Sequence, residues 1–172
     1  MGQLYRIVIV FCVALQLAAC AGPSAIESQS KQRDTRLARM YFLREKGMLG
    51  ALGGTVPTAE VKVDGKTVGS VTNGSYIFVD RSPGLYKLSV QSALTLAFET
   101  EVQVEADRAY YFNIGVPKTG APGQDLLNQA YAGGSGQQMH AQSPLSVGFS
   151  GAVFYSLDSS AGAAEIERLK AP

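Results

Sequence analysis

Tryptophan is absent from this 172-residue chain, and histidine and cysteine are scarce at one and two copies. An ordinary zinc site draws on several imidazole or thiolate ligands, so it is excluded. A nucleophilic triad has almost nothing to draw on. Charge is low at 17%, and neither sign dominates: 15 Lys and Arg face 14 Asp and Glu. The basic stripe that nucleic-acid binding needs is missing. No apolar run reaches the ~20 residues of a membrane-spanning helix. Glycine (19) and proline (7) are near average usage, which excludes collagen-like and wholly disordered chains. What remains is length for one domain and an apolar content of 46%.

The first stretch stands apart from that domain. Arg6 and the amino terminus precede the apolar run Ile7–Leu15, and Leu17-Ala18-Ala19-Cys20 follows. A charged n-region, a short apolar core and small residues before a cut describe a signal peptide over 1–19. The final four residues resemble the bacterial lipobox, with cleavage between Ala19 and Cys20 and diacylglyceryl transfer to the Cys20 thiol. The implied partner is membrane lipid, held through acylated Cys20. Two or three chains at ~0.8 kcal/mol per buried CH₂ anchor durably. Residue 21 is Ala rather than the Asp of inner-membrane retention, which favours the periplasmic face of the outer membrane. Cys12 leaves with the signal, so no disulfide is available. Arg6 leaves too, and the 15 basic residues fall to the same 14 as the acidic ones.

Residues 20–36 comprise the lipidated Cys and a polar stretch without apolar period, read as a flexible tether. As a coil its sixteen residues reach roughly 20–24 Å. From Leu37 to the C-terminus, a single domain shows period-two alternation. Arg39–Leu43 is the first strand, and Gly47–Gly54 is a glycine-rich connection that packs over the sandwich end. Asp64-Gly65 separates two alternating runs, the strongest short hairpin signal. Asn73-Gly74 repeats that chemistry, and Pro83-Gly84 suits a type II turn. Thr95–Val104 is a long strand with Phe98, Thr100, Val102 and Val104 on one face and Glu99, Glu101, Gln103 and Glu105 on the other. Ala109–Ile114 follows. Val147, Phe149, Val153, Tyr155 and Leu157 alternate as a further strand with one buried face. A helix over 161–170, capped by Ser159 or Ser160, closes the chain. About seven short strands without alternating helices predict an all-β fold, an antiparallel β-sandwich with a short C-terminal helix; a small barrel is the alternative.

Residues 117–144 break the pattern with five Gly, three Pro and five Gln. Loops of this length are uncommon and usually functional or disordered. The segment reads as a mobile insertion holding two helical turns over 124–131, one whose excision leaves the sandwich intact.

The phrases Ala38–Arg44, Val61–Gly69, Asn73–Tyr76 and Pro83–Tyr86 together resemble the bacterial lipoprotein family known as domain of unknown function 2846, over about residues 37–116. The resemblance implies a lipid-anchored β domain and lends no catalytic residue. The Asp-Gly-Lys and Pro-Gly elements are also similar to PEGA-type and transthyretin-like sandwiches.

Searches for chemistry return little. His140 lies in the insertion, where triad geometry is hard to hold. Glu99, Glu101 and Glu105 share a solvated strand face. Gly65-Lys66-Thr67 mimics the end of a phosphate loop, but Glu60 stands where that pattern needs Gly and a strand follows in place of a helix. Tyr76, Tyr110 and Tyr131 are candidate partner contacts, the first two on aromatic strands and the third in the insertion. No catalytic residue, metal ligand or cofactor is assigned. The leading expectation is a non-enzymatic envelope lipoprotein with a binding or structural role. The alternatives are an accessory subunit presenting a peptide or glycan to an envelope complex, and a carboxylate-based hydrolase.

Overall fold

The computed structural model describes residues 24–48, 57–118, 120–143, 149–169 and 171. The signal segment with Ala19 and Cys20, residues 49–54 of the glycine-rich connection, and Val147 lie outside the described residues. Two five-stranded sheets stack face to face. One (sheet A) has the order β1-β4-β3-β6-β7 and the other (sheet B) the order β5-β2-β8-β10-β9. Sheet A contains β1 (Ser24–Ala25), β3 (Ala59–Val63), β4 (Lys66–Val71), β6 (Gly84–Ser92) and β7 (Phe98–Val104). Sheet B contains β2 (Ala38–Arg44), β5 (Ser75–Arg81), β8 (Ala109–Gly115), β9 (Gln137–Gln138) and β10 (Val153–Leu157). Helix α1 (Pro122–Ala132) follows β8, and α2 (Ser159–Arg168) follows β10. The fold is a β-sandwich. All pairings are antiparallel except β2 with β8, which are parallel.

Alternation fills the interior. Val61, Leu88, Val90, Phe98 and Val104 from sheet A meet Met40, Phe42, Ile77, Val79, Phe112, Ile114 and Phe154 from sheet B. Phe154 holds the centre. Its ring lies 5.9 Å from that of Phe42, 6.2 Å from Phe112 and 6.2 Å from Phe98, so it joins β2 and β8 to the opposite sheet. Each aromatic pair adds about 0.5–1.5 kcal/mol beyond burial.

Turn chemistry behaves in two ways. Asp64 (φ 48°) and Gly65 (φ 75°) both adopt positive φ between paired strands β3 and β4, the expected I′-type hairpin. Asn73-Gly74 and Pro83-Gly84 do not close hairpins: β4 passes to β5 and β5 to β6 across the sandwich, from one sheet to the other. Gly84 has no positive φ and already opens β6, so the type II turn is not formed there. A turn signal states that the chain reverses and is silent on which sheet receives it.

Four further expectations are corrected. Residues 24–36 are no loose spacer. Ser24 and Ala25 pair with Ser70 and Gly69 on the edge of sheet A. The Gln29 side-chain amide then donates to Phe78 O (2.7 Å) and accepts from Phe78 N (2.8 Å), pairing with the edge of sheet B as a strand would. Glu27 binds Arg81, which pulls its carboxyl below the usual range. The guanidinium of Arg39 donates to Ser30 O and Gln32 O. The insertion is also built in. Beyond α1 it pairs β9 with β10, and Gln142 N donates to Glu99 O on the edge of β7. Met139 and Ala141 pack on the core.

Finally, β10 starts at Val153 and Phe149 is 68% exposed. Phe154 faces inward, while Val153 and Tyr155 are buried on the outer face. Tyr155 is covered there by the 133–138 segment: Gly134 lies against its ring and its hydroxyl meets Gln138. Helix α2 is capped one residue before the expected serines: Asp158 accepts from Ser160 N (3.0 Å) and Ala161 N (2.9 Å). A carboxylate stabilises the positive helix N-terminus better than a hydroxyl does.

Candidate functional site

A cleft of about 710 Å³ opens at the end of the sandwich where β8 begins and β10 ends. Val102, Tyr110, Phe112 and Met139 contribute apolar lining, and Arg33, Asp107, Arg108 and Asp158 contribute charge. The charged groups are already engaged. Arg33 stands 3.5 Å from Asp107, and Arg108 lies 2.9 Å from Glu105. Hydrogen bonds from Ala161 N and Ser160 hold the Asp158 carboxyl below its ordinary range. Tyr110 accepts from Glu105 N (2.9 Å), which fixes its ring across the mouth. The arrangement offers a part-apolar surface with a neutralised rim.

Tyr76 belongs to a different surface. On the outer face of sheet B, Tyr41 stacks on Tyr111 at 5.0 Å and 4°, and touches Tyr76 (6.0 Å) and Phe78 (5.5 Å). Arg39 lies 4.1 Å over the Phe78 ring and is paired with Asp80 at 2.7 Å. Helix α2 covers part of this face. Gly162 sits so close to Tyr111 that a Cβ would come within 2.2 Å of the ring, so only glycine permits that approach. Burial raises the Tyr76 and Tyr111 hydroxyls above the phenol range. Tyr76 and Tyr110 thus sit on opposite faces of sheet B, and Tyr131 lies on α1.

A third cluster anchors the insertion. Glu45, just past β2, accepts from Gly134 N and Ser135 N at 3.3 Å each and from the Ser135 hydroxyl. The Asn113 amide donates to Ser135 O (3.2 Å). Tyr155 donates to Val116 O (2.5 Å), and burial pushes its hydroxyl up to about 12. Neither histidine nor cysteine takes part, and each carboxylate oxygen is held by backbone or hydroxyl, so this is a clamp. Sequence reading missed it, since Glu45 and Ser135 are ninety positions apart. The glycines at 133, 134 and 136, all with positive φ, were its one local signal.

The remaining candidates disperse. His140 is exposed. Glu99 pairs with Lys87 at 2.7 Å on the outer face of sheet A. Arg44 is buried and donates to Pro57 O (2.6 Å), with its pKa lowered by desolvation. Among the described residues, no group of three His, Cys, Asp or Glu side chains is placed to hold a metal ion. No helix among them is long and apolar enough to cross a membrane.

No curated protein matches the chain. A family model described as "Protein of unknown function (DUF2846)" matches residues 34–123, from the turn before β2 into α1. That span takes in β2 to β8, the strands that supply most of the interior, and exceeds half of the chain; the protein therefore belongs to the DUF2846 family.

Proposed function

We propose that the protein is a lipid-anchored lipoprotein of the bacterial cell envelope with a non-catalytic binding or structural role, held at the periplasmic face of the outer membrane. The observation that carries this reading is Leu17-Ala18-Ala19-Cys20 at the end of an apolar run. Ala21 after the cysteine supports outer-membrane sorting. Mass spectrometry of the mature protein from membranes tests it. The expected species begins at Cys20 and carries diacylglyceryl and further acyl mass. A mature chain beginning at Ala21, or an unmodified Cys20, sinks the reading.

The second reading is an accessory subunit that presents a peptide or glycan to an envelope complex. The cleft beside Tyr110 and Met139 favours it, since it offers aromatic and apolar surface beside polar groups. Crosslinking in envelopes through a photoreactive group at Arg108 separates the two. One stoichiometric adduct supports the accessory role, and its absence supports the structural one.

A further inference from the structure

The two ends of the sandwich differ in chemistry. The end where β2, β4 and β8 finish carries Met48 (50% exposed), Leu94 (106%), Leu96 (54%) and Phe149 (68%). Leu94 and Leu96 sit in the β6–β7 connection, and Leu96 N bonds Phe149 O (3.3 Å), so these tips adjoin. Gly47 N, one residue before Met48, is held by Asn73 at the β4–β5 corner. Helix α1 is fixed to this end from both sides, through Val116 on Tyr155 and through Gly133–Ser135 on Glu45. It exposes Leu126 (68%) and Leu127 (58%). Six of the eight large apolar side chains exposed among the described residues thus gather here; Ile26 and Leu85 lie elsewhere. The opposite end exposes Arg33, Arg36, Asp64, Asp107 and Arg108.

Leu94 breaks a local rule. It occupies the third position of the Ser92–Thr95 turn with φ 63°, where glycine or asparagine is the usual choice. Its side chain is fully exposed, so the fold gains nothing from leucine there. Such violations concentrate where function requires them.

The chain itself enters at the apolar end. β1 runs antiparallel to β4, and Ser24 pairs with Ser70 next to the end of that strand. Four residue steps separate Ser24 from Cys20, a reach of at most ~14 Å.

We propose that this end is a membrane-contact surface: the tips bearing Met48, Leu94, Leu96 and Phe149, with the exposed leucines of α1, sit at the headgroup–acyl boundary of the bilayer holding acylated Cys20. This deepens the lipoprotein reading and rests on it. The anchor is too short for the body to float free, and it delivers the apolar tips rather than the charged end to the surface. Exposed Lys46 and Lys118 at the same end can extend to anionic headgroups while their stems stay on apolar surface.

The test uses the full mature lipoprotein in phosphatidylethanolamine–phosphatidylglycerol vesicles. Cys20 is acylated and Cys12 is lost with the signal, so an introduced cysteine is the sole free thiol. Fluorescent labels at Leu96→Cys and Phe149→Cys are compared with Lys66→Cys and Arg108→Cys, using lipids spin-labelled on the acyl chain as quenchers. The first pair lies ~5–10 Å into the boundary and loses most of its fluorescence, while the second pair loses almost none. Leu94→Asn, which relieves the turn, keeps the melting temperature and reduces quenching at Phe149→Cys. Equal, weak quenching at all four positions overturns the proposal while leaving the anchor intact. Labels shielded from water yet unquenched by lipid also overturn it, because a protein then covers this end. Mass spectrometry of the same sample separates these results from failure of the anchor itself: absence of acyl mass on Cys20 removes both readings.

Discussion

The N-terminal strap (24–36) and the insertion (117–143) are the two polar, aperiodic stretches of the chain, and each closes one open side of the sandwich. They do so by different means. The strap covers the β4 and β5 edges with two residues of true strand, one glutamine amide that mimics a peptide group, and the Glu27–Arg81 pair. The insertion covers the β10 and β7 edges with β9, with backbone bonds from Met139 to Phe154 and from Gln142 to Glu99, and with a carboxylate clamp at Glu45. Edge strands left bare invite association with other chains. The strap places Ala25 on the core and otherwise grips the surface, while the insertion places Met139 and Ala141 there and sets its glycines against Tyr155 and Gly115. Edge protection therefore needs no hydrophobic periodicity, and in the insertion it is joined to core packing.

The widest separation between the two comes from excision. Removing 133–143 strips Tyr155, exposes core and orphans the backbone partners on Phe154 and Glu99, a loss of about 3–5 kcal/mol by analogy with large core truncations. The expected result is an unfolded or strongly destabilised chain in thermal denaturation. Removing only residues 123–130 of α1, with a short glycine bridge, leaves the melting temperature within a few degrees, because none of Gly123–Ala130 is buried. Equal effects from the two excisions would break the distinction.

Gly115→Ala sharpens it. A Cβ there would stand 2.5 Å from the Gly134 backbone, so the insertion must lift from β8. A cost of about 1–3 kcal/mol is expected in denaturant unfolding, with faster amide exchange at Met139 and none at Ala25.

Alkaline titration probes the same contact without mutation. Burial raises the Tyr155 hydroxyl from 10.0 to about 12. The native state then holds a proton that the unfolded chain has released. The stabilisation is complete below pH 10 and is lost as pH rises towards about 12. Melting temperature should fall across that window, and Tyr155→Phe should flatten the fall.

The smallest effect belongs to the strap. Gln29→Ala removes both bonds to Phe78 at a net cost of about 1 kcal/mol each or less. Amide exchange at Phe78 should quicken while that at Met139 is unchanged. Global unfolding on this substitution would mean that the strap, too, is part of the core.

The interior strands were legible because burial writes a period into sequence. Phe98, Thr100 and Val104 are inward as their alternation requires, and Asp64-Gly65 is a true hairpin. The two edge covers were illegible for the reason they work: a glutamine amide, a carboxylate and backbone groups satisfy edges without an apolar pattern. β10 misled because a covered outer face makes Val153, Phe154 and Tyr155 all buried, which erases alternation. The Glu45 clamp and the parallel β2–β8 pairing depend on partners about 70 to 90 positions apart, as Arg39 with Ala109 and Glu45 with Ser135 illustrate.

The strap has a mechanical consequence. In the proposed lipoprotein, a pull between the anchor at Cys20 and the body would load β1 first, then Glu27 and Gln29, and these bonds would break in turn rather than together. Peeling residues 24–36 pays out roughly 43–47 Å of chain before the load reaches β2 at Ala38. The sandwich would keep its interior through that extension, and the strap could re-seat when the load falls. With Cys20 anchored as proposed, the first residues of the fold would act as a sacrificial spring between a fluid surface and a rigid core.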